Sequence, residues 1–134
     1  MLGIRFVLAV LAAGIVTSMT DWLFMGDWVY KRFDKNPEIW RFQGGQGESK
    51  AIVWSTILPF LTCAAFDFLC VRQPLFTRFS TFTLALGVWL AVALPMIITN
   101  SLWMKITAPI AALFAAGWLV KLLVAAFLLL LIVR

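Results

Sequence analysis

PIAALFAAGWLVKLLVAAFLLLLIV, residues 109–133, runs for 25 residues with one charge, Lys121. As a helix rising 1.5 Å per residue it reaches roughly 37 Å, more than a hydrocarbon core of ~30 Å requires. It is apolar around its whole circumference, so it belongs deep inside a large protein or inside a membrane. The chain has only 134 residues, and a small domain buries too limited a share of its surface to wrap such a helix in protein. Lipid is the solvent that this stretch implies.

Working outward, three more apolar runs appear: about Ile4 to Tyr30, Ala51 to Val71 and Phe79 to Leu102, each at least 20 residues long. The whole chain is 63% hydrophobic and 13% charged, with a mean hydropathy of +1.00. Soluble domains are roughly 45–50% apolar and about 25% charged. Within lipid, unpaired backbone groups exclude open sheets, and no period-two alternation points to a barrel. The expected fold is an all-α bundle of four transmembrane helices (4–30, 51–71, 79–102, 109–133) forming one domain. Arg5 before Phe6–Val16 resembles the start of a signal peptide. The run continues to Val29 without a small-x-small cleavage site, so a retained first helix is expected.

The connections set the topology. Residues 31–50, KRFDKNPEIWRFQGGQGESK, carry eight charges and the run Gly44-Gly45-Gln46-Gly47. Pro37 fits the first turn of a short interfacial helix capped by Asn36, which would rest Ile39, Trp40 and Phe42 on the membrane surface. The loops at Arg72-Gln73-Pro74 and at Lys105 to Ala108 are short and make neighbouring helices antiparallel. Trp28, Trp40, Trp54 and Trp103 then fall on one side as an aromatic belt. Trp22, Trp89 and Trp118 lie deeper and read as packing residues. The side of loops one and three holds six Lys and Arg, and the side of the termini and loop two holds four. That count places both termini outside.

The net charge is +5, yet Lys and Arg cluster where apolar runs end, with no basic patch interleaved with aromatics. The expected partners are therefore the lipid bilayer and further membrane subunits, or copies of this chain, not nucleic acid. Cys63 and Cys70 would stand two turns apart, roughly 10 Å, on one helix, too far for a disulfide. They read as small apolar residues.

Charged groups inside the span are the sharpest functional signal. Measured from the loop-one side at 1.5 Å per residue, Asp21 lies roughly 13 Å deep, Lys121 roughly 20 Å and Asp67 roughly 25 Å. The expectation is a Lys121–Asp67 ion pair, with Asp21 nearer Thr99, Asn100 and Ser101. Gly14, Thr17, Ser18 and Asp21 share one face of the first helix as a small, polar seam suited to close helix packing. Pro59 and Pro95 fall inside helices and predict kinks.

There is no histidine, which removes the usual haem ligand, a common zinc ligand and the favoured general base. No nucleophile elbow, P-loop or dinucleotide fingerprint is present. Asp34, Glu38 and Glu48 sit among Lys and Arg and read as solvated. No catalytic residue, cofactor or metal ligand is assigned.

Thr17-Ser18-Met19-Thr20-Asp21-Trp22-Leu23-Phe24-Met25-Gly26 is followed by Tyr30 and by Pro37-Glu38-Ile39-Trp40-Arg41. Gly87-Val88-Trp89-Leu90 through Asn100, and Gly117-Trp118-Leu119, come later. Together these resemble the small bacterial membrane proteins of the DUF1761 family, whose function is unknown. The resemblance implies a four-helix protein of a bacterial inner membrane and carries over no catalytic residue.

The sequence thus favours a non-enzymatic membrane protein that works by helix packing, as a homo-oligomer or a small accessory subunit. Alternatives are a small transporter or channel using Asp21, Asp67 and Lys121, and a membrane enzyme acting on lipid near Asp21.

Overall fold

The computed structural model describes residues 2–29 and 48–134. The interfacial helix expected at Pro37, its Asn36 cap, the Gly44–Gly47 run, Tyr30 and Trp40 lie outside the described residues. Among the described residues there are four helical spans long and apolar enough to cross a membrane, and no strand. The protein is an all-α four-helix membrane bundle.

The first span is helix α1 (Leu2–Asp21) continued by a π-helical segment, Trp22–Trp28. The second is α2 (Glu48–Val71), which begins three residues before the expected start at Ala51. The third comprises α3 (Arg78–Val88), a π-helical segment (Trp89–Ala93) and α4 (Leu94–Trp103). The fourth is α5 (Ala108–Val133). The second π segment has a local cause. Pro95 has no N–H and its ring crowds the carbonyl one turn back. The preceding turn widens, and the Leu94 N–H bonds to the Trp89 carbonyl, one residue further back than in an α-helix.

Helix α5 is the hub. Of its most apolar window 39% is buried within the protein, against 22% for each other span, and it packs against every other span, most extensively against α1. The core joins Ala9 and Ala13 of α1, Cys63, Phe66 and Cys70 of α2, Ala85 of α3, and Leu122, Ala125, Ala126, Leu129 and Val133 of α5. Most of these side chains are small, which lets helices approach closely where lipid removes any hydrophobic drive between them. Large apolar residues point outward instead: Leu61 is 65% exposed and Leu131 67%. Such a surface is stable against hydrocarbon, not water.

The short loops are held by their own backbone and hydroxyl groups. In loop two the Thr77 side chain accepts from the Ser80 N–H at 3.1 Å, while the Thr77 N–H donates to Ser80 Oγ at 3.0 Å. This capping box starts α3. In loop three the Met104 N–H donates to the Asn100 carbonyl at 2.8 Å.

Candidate polar centre inside the bundle

Thr17 and Asp21 stand one turn apart on α1, on the stripe that begins with Ala9 and Ala13. Thr17 is fully buried. Its hydroxyl donates to the Ala13 carbonyl at 2.7 Å, which satisfies it within its own helix, and its oxygen lies 3.5 Å from the Cys63 sulfur of α2. Ser18 donates to the Thr56 carbonyl at 3.1 Å. Gly14 faces the Phe60 ring so closely that an added Cβ would overlap it. The seam of Gly14, Thr17 and Ser18 therefore faces α2 of the same chain.

Lys121 corrects the expected pairing. Its ammonium lies 2.6 Å from Asp21 Oδ2, with the side chains 7% and 17% exposed. The partner is Asp21, not Asp67. Depth along the axis puts Lys121 about as far from one carboxylate as from the other, but side chains tilt toward the N-terminus of their own helix. On α5 that tilt runs toward loop three, the level of Asp21. On the antiparallel α1 it carries Asp21 inward, toward Lys121. The two lean together, and Lys121 leans away from Asp67. The ammonium also lies 4.2 Å from the centroid of the Trp118 ring, one turn back on α5, an attractive cation–π geometry.

Asp67 stands apart. It is fully buried, and among the described residues neither carboxyl oxygen has a hydrogen-bond partner; Asp21 Oδ1 lacks one as well. On α2 Asp67 falls between Cys63 and Cys70, both buried and free, so its surroundings are those of the apolar core. An isolated carboxylate is very costly in such a place. A carboxyl group there is either neutral or counterbalanced by a group that reaches it.

The other expected site residues are not drawn in. Thr99 is exposed and Asn100 half-buried. The Ser101 hydroxyl donates to the Ile98 carbonyl at 2.7 Å. Among the described residues no hydrogen bond links these three side chains to Asp21, Asp67 or Lys121. Trp22 also departs from its expected packing role: it is 72% exposed, more than Trp28 at 43%. As the first residue after Asp21 it is rotated off the buried stripe.

Sequence reasoning passed over one anchor and one acidic residue. Trp89 donates its indole N–H to the Ala115 carbonyl at 2.8 Å, pinning the third span to α5. Its depth in an apolar run marked it for packing, but only the fold supplies the acceptor. Asp27, half-buried in the first π segment, was legible as an acidic residue within the first span. Among the described residues no cluster of three or more His, Cys, Asp or Glu suits a metal ion.

The arrangement therefore holds one charge pair and one isolated carboxyl group within a small-residue core. No family model matches the chain, and comparisons with curated proteins and with solved structures likewise give no match.

Proposed function

We propose that this protein is non-enzymatic and works through helix packing in a membrane, as a homo-oligomer or as a small accessory subunit of a membrane complex. The observation that carries the reading is the Lys121–Asp21 pair at 2.6 Å. Lys121, the one buried cation among the described residues, is engaged by a carboxylate of the same bundle and by the Trp118 ring, so the charge joins α1 to α5. The outer face leaves broad apolar surface for lipid or partner helices. The resemblance to DUF1761 proteins favours a bacterial inner membrane as the setting. Native mass spectrometry of the protein gently extracted from its own membrane tests this. Stable association with itself or with other subunits supports the reading; a monomer alone under all gentle conditions sinks it.

A second reading, a small transporter or channel, draws on Asp67, whose two oxygens are buried without a partner among the described residues. Ionisable groups in membrane spans often mark ion or proton pathways. Proton flux in liposomes that disappears in Asp67→Asn would favour this reading over packing.

A further inference from the structure

We infer that the groove between the first turn of α3 and the end of α5 binds the phosphate of an anionic phospholipid. The groove has a volume of about 540 Å³ and is lined by Thr77, Arg78, Phe79, Leu130 and Arg134. Two arginines from separate elements face one space, and among the described residues neither has an ion-pair partner. Arg78 is the first residue of α3, whose first turn contains no acidic residue. A helix N-terminus is already the positive end of the macrodipole and favours an anion. The end of α5 brings the negative pole of its own helix to the same space, so the attraction for an anion rests on the two guanidinium groups of Arg78 and Arg134.

The whole end of the bundle shares this imbalance. Arg5, Arg72, Arg78 and Arg134 all belong to it by topology, and no Asp or Glu does apart from the buried Asp67. The remaining acidic residues fall in the later part of the first span, in loop one or at the start of α2. Arginine presents a planar fork of donors that matches phosphate oxygens. The groove also lies where two spans end, the level of lipid phosphates. Phe79, 82% exposed, and Leu130 add an apolar wall that a lipid's glycerol and acyl region would cover and a free phosphate would leave bare. The occupant is thus a phospholipid.

The test uses the full chain, purified in detergent, stripped of lipid and mixed with phosphatidylglycerol or phosphatidylcholine, with bound lipid counted by native mass spectrometry. Wild type should prefer phosphatidylglycerol. Arg78→Gln with Arg134→Gln should weaken that binding roughly thirty-fold, about fivefold for each cation removed near a membrane surface. Arg5→Gln, at the same end but outside the groove, should leave it unchanged. Arg78→Lys with Arg134→Lys should retain part of it. All these side chains are exposed, and circular dichroism checks that each variant keeps its helices. Equal affinity of wild type and the double Gln variant overturns the inference. So does an equal loss in Arg5→Gln, which would mean diffuse attraction. Displacement of the lipid by an equal concentration of inorganic phosphate also overturns it, in favour of a free-anion site.

Discussion

The Lys121 ammonium and Asp21 Oδ2 meet at 2.6 Å across the α1–α5 interface, each side chain leaning along its own antiparallel helix toward the other. This contact joins the first span to the last. Removing one partner leaves a nearly buried charge without its counter-ion, which typically costs about 3–5 kcal/mol. Lys121→Met and Asp21→Asn should each lower stability strongly in detergent unfolding. The double variant should be markedly more stable than the worse single one. Lys121→Met with Asp67→Asn should show no such recovery. Rescue by Asp67→Asn beyond its effect in the otherwise wild-type protein would mean that the pairing is misassigned.

Asp67 should behave in the opposite way. Among the described residues it has no partner to lose, so Asp67→Leu should leave stability unchanged or raise it, as expected where apolar packing replaces an unsatisfied buried polar group, while Asp67→Asn, which keeps a buried polar group, should change it little. Thermal unfolding in detergent reads this directly. A loss as large as that of Lys121→Met would mean that Asp67 has a partner of its own.

Gly14 lies against the Phe60 ring with no room for a Cβ. Gly14→Ala should destabilise by about 1–3 kcal/mol, the usual range for overpacking. Shortening the ring in Gly14→Ala/Phe60→Leu should recover part of that loss. Gly3, with open space around its Cβ position, should accept alanine without penalty and serves as the control.

Trp89 donates one hydrogen bond to the Ala115 carbonyl. Trp89→Phe keeps an aromatic ring and removes the donor. Interhelical hydrogen bonds in membranes contribute on average about 0.6 kcal/mol, so a small drop is expected, confined to the contact of the third span with α5. Hydrogen exchange along Trp89–Ala93 should rise, and equal rates in both proteins would refute the anchor.

Cys63 and Cys70 are both buried and free. Neither should react with a maleimide in folded protein, and both should react once the bundle is denatured. Rapid labelling of Cys63 in the folded state would reveal a water path beside Thr17, and would strengthen the transport reading.

The spans were legible because hydrophobicity over 20 or more residues is a one-dimensional signal. The starts and ends of the third and fourth spans fall within a residue of expectation for the same reason. The pairing of Lys121 was not legible from depth alone. Depth along an axis says nothing of side-chain tilt or of which faces meet, and those two factors choose Asp21 over Asp67. Gly14, Thr17 and Ser18 were recognisable as one face because helical spacing is local. Their contacts with Phe60, Cys63 and Thr56 are long-range and needed the fold. Trp22 was misread because distance from the span end indicates depth, not whether a residue faces lipid or protein.

The central place of α5 bears on how the molecule is made. Synthesis and insertion run from the N-terminus, so three spans enter the bilayer before the one that supplies much of their shared core. Until then Ala9, Ala13 and Cys63 lack their common neighbour, and Asp21 waits in the membrane without its cation. Arrival of α5 completes the charge pair and the core in one event. A ribosome stalled before Ala108 would leave an intermediate with an uncompensated acid in lipid, the kind of defect that membrane quality-control proteases can recognise.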